Sequence, residues 1–193
     1  MSDSSNTIQY TVRPCRLDDL EAMREICIET SLLPLRDEKD KQFLLLMYCD
    51  TYVEYTSDCF VAVDGNNRVI GYILCASDTH KYLRLFRKNI LPEIGKMGFG
   101  YRVKALLNLA GQELCSALAA SHLHIDLTAS ARRKGIGTVL VKTLKKHLAQ
   151  KGIEHVQLTC SSKNKVAISF YKRNGFKTFF RFFGACVMRA KTE

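Results

Sequence analysis

The sequence holds eight cysteines in 193 residues yet has no Cys-x-x-Cys pair. Cys15, Cys27, Cys49, Cys59, Cys75, Cys115, Cys160 and Cys186 are scattered singly. Most stand among apolar neighbours, as in CFVAV and GYILCA, where a free thiol behaves as a small hydrophobe. This argues against a disulfide framework, and reduced, structural cysteines are expected. The five histidines never fall at ligand spacing beside a cysteine pair, so no metal site is expected either. No apolar run approaches the roughly 20 residues of a membrane span. The opening MSDSSNTIQYTVRP lacks the basic start and apolar core of a secretory signal. A cytoplasmic protein without a membrane partner is the expectation.

Acidic residues are scarce in the last third. Residues 128–193 carry fifteen basic side chains against Glu154 and Glu193, a balance of +13, whereas residues 1–127 carry 14 basic and 17 acidic groups. A basic third calls for a polyanionic partner: a phosphorylated cofactor, a nucleic acid, or only solvent around a soluble face. Apolar residues at 47% and charged residues at 25% exclude a disordered chain, and the length fits one globular domain.

Along the chain, residues 1–7 read as a polar tail and IQYTVRP as a short strand ended by Pro14. Asp18 is expected to cap a helix over DDLEAMREICIETSLL, and a second helix covers KDKQFLLLMYCDTYVEY. CFVAVDGNNRVIGYILCA is a hairpin around Asp64–Asn67. Residues 78–120 read as a helical insertion punctuated by Pro92, Gly95, Gly98 and Gly100, placed before the strand SHLHIDLTA. An amphipathic helix follows, burying Ile136, Leu140, Leu144 and Leu148 joined by Val139. HVQLTC is a strand, NKVAISFYKRN a helix closed by Gly175, and FKTFFRF and GACVMRA the last strands. The run Phe179-Phe180-Arg181-Phe182-Phe183 reads as core strand, with an exposed homodimer patch as the alternative. Together these make one mixed α/β domain.

The chemistry concentrates between Ile125 and Thr138, where a strand passes through a basic turn with two glycines into a helix. The unbonded N–H groups of a first helical turn favour anions, and glycines let the backbone approach phosphate closely. The spacing fits neither a Walker loop nor a GxGxxG dinucleotide fingerprint. Lys142, Lys145, Lys146 and Lys151 form a basic helix face, but no recognition helix, RNP-like strand or zinc finger accompanies it, so nucleic acid is not expected as a partner.

Arg132-x-x-Gly135-x-Gly137 resembles the Arg/Gln-x-x-Gly-x-Gly/Ala signature of the GNAT acetyltransferases. Asn164-x-x-Ala167-x-x-Phe170-Tyr171-x-x-x-Gly175-Phe176 resembles that family's second signature. Gly71-Tyr-Ile-Leu-Cys-Ala-Ser-Asp78-Thr, the insertion and His122-Leu-His124-Ile-Asp126-Leu look like the branch that includes the acetyltransferase-like domain attached to O-GlcNAcase.

The resemblance implies a mostly antiparallel sheet flanked by helices, splayed between the HLHIDL and HVQLTC strands. It implies acetyl-CoA along Ile125, Leu127 and Thr128. The pyrophosphate would lie on Arg132, Arg133, Lys134, Gly135, Ile136, Gly137 and Thr138, with further contacts from Asn164 and Tyr171. It implies direct acetyl transfer to the amine of a small molecule or peptide, with Tyr171 as general acid. The alternative is a non-catalytic acyl-CoA-binding or interaction module. The position most often acidic in the family falls on Ser121, which is no base. His124 and Asp126 are the candidate bases if a bulge turns them toward the substrate; otherwise they are a buried structural pair.

Overall fold

A computed structural model describes residues 9–117 and 119–192. The expected polar tail at residues 1–7 lies outside the described residues. Strand β1 (Tyr10–Pro14) carries its proline on the sheet's outermost strand, where a missing donor costs least. A 3-10 turn, Leu17–Asp19, then precedes α1 (Leu20–Thr30). That turn puts Asp19, not Asp18, at the start of α1, with no side-chain capping bond into the helix. The Asp19 carboxylate accepts the Arg16 N–H at 2.8 Å and both Arg13 guanidinium nitrogens at 2.7 Å.

Helix α2 (Glu38–Tyr48) is capped by Asp37, whose Oδ1 accepts the Asp40 N–H at 2.8 Å. It does not run on to Tyr55 as expected. Cys49 leaves helical geometry at φ −126°, ψ −64°, and the Thr51 hydroxyl donates to the Leu46 carbonyl that a longer helix would use. A 3-10 segment, Asp50–Asp58, follows.

The hairpin of β2 (Phe60–Asp64) and β3 (Val69–Ala76) forms as expected. Asp64 Oδ1 accepts the N–H groups of Asn66 and Arg68 at 2.9 and 3.0 Å and holds the turn closed. The insertion is helical: α3 (Thr79–Leu85), a π turn at Phe86–Ile90, α4 (Leu91–Met97) and α5 (Phe99–Ser116). Gly98, at φ +134°, makes the break between α4 and α5, while Gly95 and Gly100 lie within helices.

Strand β4 (Ser121–Leu127) leads through a turn to α6 (Ile136–Gln150), then β5 (His155–Ser161), α7 (Lys165–Arg173), β6 (Lys177–Phe182) and β7 (Ala185–Lys191). The sheet order is β1-β2-β3-β4-β5-β7-β6, antiparallel except at the β4–β5 pair. Helices cover both faces. α1 to α5 pack on the face of Val61, Tyr72 and Leu74, and α6 with α7 on the face of Ala62, Ile73 and Leu158.

Two expectations about packing are corrected. Val139 is 37% exposed, and Val141 completes the buried stripe of α6 instead. The Phe179–Phe183 run is not core: β6 is an edge strand, leaving Phe179 at 52% and Phe183 fully exposed while Phe180 and Phe182 are half-buried.

Candidate functional site

Strands β4 and β5 pair only at Ser121↔Val156 and His122↔Gln157, and beyond that point they separate. Which groups face the gap follows from the neighbouring ladders. The Thr128 N–H donates to the Ile70 carbonyl at 3.1 Å, and the β3–β4 register is unbroken from Ala76↔His122 to Gly71↔Leu127. By antiparallel alternation His122, His124 and Asp126 turn their backbone groups to β3, and Ile125 and Leu127 turn theirs toward β5. On the other strand, the Ser162 N–H donates to the Gly184 carbonyl at 2.8 Å. The same alternation directs the backbone groups of Thr159 and Ser161 toward β4. The wedge is therefore walled by backbone donors and acceptors that have no ladder partner.

At its open end stands the basic turn. The Thr128 hydroxyl also bonds the Ile70 carbonyl at 3.1 Å, and Arg132 Nε donates to the Leu127 carbonyl at 3.1 Å, which fastens the turn to the strand. Arg133 at φ +61° and Gly135 at φ +79° both take the left-handed conformation. Helix α6 then begins at Ile136 with Gly135 as its cap and no side-chain capping bond. The first-turn N–H groups of Ile136, Gly137 and Thr138 thus have neither helical acceptors nor a cap. Gly135 is required by its φ, whereas Gly137 is required by packing. A Cβ on Gly137 would lie 3.0 Å from Leu127 Cδ1 and 3.1 Å from Phe170 Cζ. Exposed Arg132, Arg133 and Lys134 add positive charge beside these donors. The donor set fits a pyrophosphate.

Helix α7 lies on the same side of the sheet as α6. Asn164 Oδ1 accepts the Ala167 N–H at 3.0 Å and so starts α7. Tyr171 is buried against Phe170 and Phe176, with ring centroids 5.3 and 5.7 Å away. Burial, followed by the Asp126 carboxylate, holds its phenol well above the ordinary tyrosine range, so the hydroxyl keeps its proton at neutral pH.

His124 and Asp126 project from the opposite face. His124 Nε2 meets Asp126 Oδ2 at 2.8 Å, and the Tyr72 hydroxyl donates to the same oxygen at 2.8 Å. The His124 ring stacks on Tyr48 at 5.7 Å. Burial opposes the charge on His124, but the Asp126 carboxylate outweighs it and pushes the imidazole up to about 10. Burial likewise opposes the Asp126 charge, and His124 with its hydrogen bonds holds that carboxyl below the usual range. No bulge interrupts β4 beside β3, so the expected route to exposure is not the one used. The loss of β5 as a neighbour opens this face, leaving the side chains 33% and 20% exposed.

Ser121 is buried, its hydroxyl donating to the His155 carbonyl at 2.9 Å. His122 is buried as well, bonded through Nδ1 to the Thr79 hydroxyl at 2.9 Å. Burial, helped by the neighbouring His124, lowers its pKa to about 3, so it is neutral. Tyr48 and Tyr72 were missed by sequence reasoning. Tyr72 stands opposite Asp126, a relation that only the pairing of β3 with β4 reveals.

Residues 20–176 match the model of the acetyltransferase (GNAT) family. Among solved structures, that of SsHAT superposes with a TM-score of 0.86 at 26% identity, covering 96% of this chain and 99% of the other. The polyamine N-acetyltransferase of Drosophila melanogaster, an enzyme that forms N-acetylagmatine, superposes with a TM-score of 0.66 at 17% identity, covering 95% and 100%. The PaiA N-acetyltransferase of Thermoplasma acidophilum, in complex with coenzyme A, gives 0.60 at 17%, covering 95% and 99%.

Proposed function

The chain belongs to the GNAT acetyltransferase family, and from that premise we propose that it transfers the acetyl group of acetyl-CoA to an amine. The wedge between β4 and β5, ending at a glycine turn and an uncapped helix start, is the observation that carries this reading. When bound, acetyl-CoA supplies an acetyl group activated as a thioester. Arg132, Arg133 and Lys134 with the N–H groups of Gly135 to Thr138 hold its pyrophosphate. Ile125 and Leu127 N–H groups hold the pantetheine arm and polarise the thioester carbonyl, with Thr128 and Asn164 as further contacts.

Tyr171 packs on one face of the sheet and the His124–Asp126 pair stands on the other, beside Tyr72 and Tyr48. Tyr171 keeps the proton that the departing thiolate needs. His124 and Asp126 orient the amine. Its nitrogen becomes acidic as it bonds to carbon, so a weakly basic carboxylate such as Asp126 suffices to take its proton. The acceptor is a small-molecule or peptide amine, with agmatine and polyamines first in the panel because structural neighbours act on them. Within the family we place the chain beside the O-GlcNAcase-attached branch, as a cytoplasmic protein that does not bind nucleic acid.

A second reading, an acyl-CoA-binding module without turnover, draws on Ser121. That residue occupies the usual acidic position and spends its hydroxyl on a backbone carbonyl. One experiment separates the readings. Acetyl-CoA at 100 times its dissociation constant should stabilise the protein by about 2.7 kcal/mol. That corresponds to a rise in Tm of about 5–11 °C for a chain of this size. Gly135→Val, which forces a branched residue to φ +79°, should abolish the rise. An unchanged wild-type Tm refutes cofactor binding. A rise without acetyl-CoA consumption across the amine panel favours the module.

A further inference from the structure

Helix α1 crosses the sheet beside β4 and brings Cys27 against His124 and Asp126. One ligand atom from each of the three lies within 4.8 Å of the other two. The Cys27 Sγ lies within 4.8 Å of a His124 ring nitrogen, and His124 meets Asp126 at 2.8 Å. We propose that Cys27, His124 and Asp126 form a site for a thiophilic divalent cation, zinc foremost, and that its occupation blocks acetyl transfer. The blocking effect rests on the function proposed above; the binding does not.

The donor set is a thiolate, an imidazole and a carboxylate, which suits zinc and not magnesium or calcium. Zinc bonds of about 2.0–2.3 Å put tetrahedral ligand atoms roughly 3.5 Å apart. The cluster brackets that value, from the 2.8 Å His–Asp contact to a limit of 4.8 Å. Cys27 is buried, whereas His124 and Asp126 are partly exposed, which leaves the fourth coordination position to water or an amine. The surroundings already orient the ligands: the Tyr72 hydroxyl donates to Asp126 and the Tyr48 ring stacks on His124. Binding replaces one proton on the Cys27 thiol and one on the His124 imidazolium, and both go to solvent. With His124 and Asp126 committed to the cation, the pair can no longer orient or deprotonate an acceptor.

Cobalt(II) titrated into the full-length protein, reduced with a non-thiol reductant and free of acetyl-CoA, tests the site directly. A thiolate-to-cobalt charge-transfer band of one equivalent, displaced by zinc, is expected. Cys27→Ser should lose that band. A wild type without the band, or a band that survives in Cys27→Ser, overturns the proposal, since seven other cysteines remain. Circular dichroism checks that the variant is folded. Asp126→Asn, which keeps the side-chain shape, provides an independent arm. It should weaken cobalt binding at least tenfold, and unchanged affinity also overturns the site. In turnover assays, zinc should inhibit the wild type and spare Cys27→Ser, each read against its own zinc-free rate. Equal inhibition of both refutes the regulatory claim. The cobalt result stands whether or not the protein acetylates any amine, so the two proposals fail separately.

Discussion

Gly71→Ala tests how tightly the wedge is built. Gly71 pairs with Leu127 across β3 and β4. A Cβ at this position would overlap Leu127 Cδ2 and lie 3.1 Å from the Asp126 carbonyl oxygen. Leu127 has little room to retreat, because a Cβ on Gly137 would already come within 3.0 Å of its Cδ1. Overpacking of this kind costs about 1–3 kcal/mol. Replacing glycine by alanine within a strand returns about 0.5–1 kcal/mol. The net loss is up to about 2.5 kcal/mol, or a fall in Tm of up to about 10 °C for a chain of this length. Acetyl-CoA affinity should fall too, since the displaced backbone carries the Ile125 and Leu127 N–H groups. The assay is thermal unfolding of the wild type, Gly71→Ala, Leu127→Ala and the double variant. Leu127→Ala removes the overlapping methyls, so the double variant should be more stable than the sum of the single losses by about 1 kcal/mol or more. Losses that add to within about 0.5 kcal/mol would show no steric coupling and refute the reasoning.

Tyr171→Phe keeps the buried ring and removes the hydroxyl. It should lower kcat by about 100-fold or more while acetyl-CoA affinity is retained, and steady-state kinetics with an accepted amine checks it. Asp58 is 3% exposed and accepts Lys151 Nζ at 2.6 Å and meets His147 Nε2 at 2.8 Å, joining the 3-10 segment after α2 to α6. Burial raises its pKa, but Lys151, Ser77 and His147 together hold it below the usual carboxylate value. A depressed folded-state pKa means a contribution that is complete above about pH 4 and disappears as pH falls through the folded value. Asp58→Asn should therefore cost about 1–3 kcal/mol at pH 7, and the gap from wild type should close in acid, as urea unfolding at several pH values measures.

Local patterns were legible where one segment settles its own conformation. The β2–β3 hairpin followed from two β-branched runs around a turn whose aspartate bonds its own backbone. The glycine turn and α6 followed from Gly135, Gly137 and the spacing of Ile136, Leu140, Leu144 and Leu148, all buried. The failures share another cause. Asp18 looked like the cap because an intervening 3-10 turn leaves no periodicity to read. The phenylalanine run of β6 looked internal because apolar content does not reveal which strand ends the sheet. The environment of His124 and Asp126 was illegible for a related reason. Cys27, Tyr48 and Tyr72 come from three other elements, and only the assembled sheet and helices bring them to β4.

The uneven charge of the chain acquires a structural explanation in two parts. Some of it is stitched across the fold: Asp58, from the acidic two-thirds, meets Lys151 just past the end of α6, and Glu29 on α1 accepts the Ala129 N–H at 3.2 Å. The turn is different. Among the described residues, the ion pairs with acidic side chains involve neither Arg132, Arg133 nor Lys134. Three adjacent cations repel one another, and here they stand beside helix N–H groups that carry the same sign of partial charge. A fold selected for stability alone would place an acid among them. Leaving them together, on a turn tied to β4 through Leu127, keeps a positive field at the mouth of the wedge. On the function proposed above, that field serves an anion that enters there.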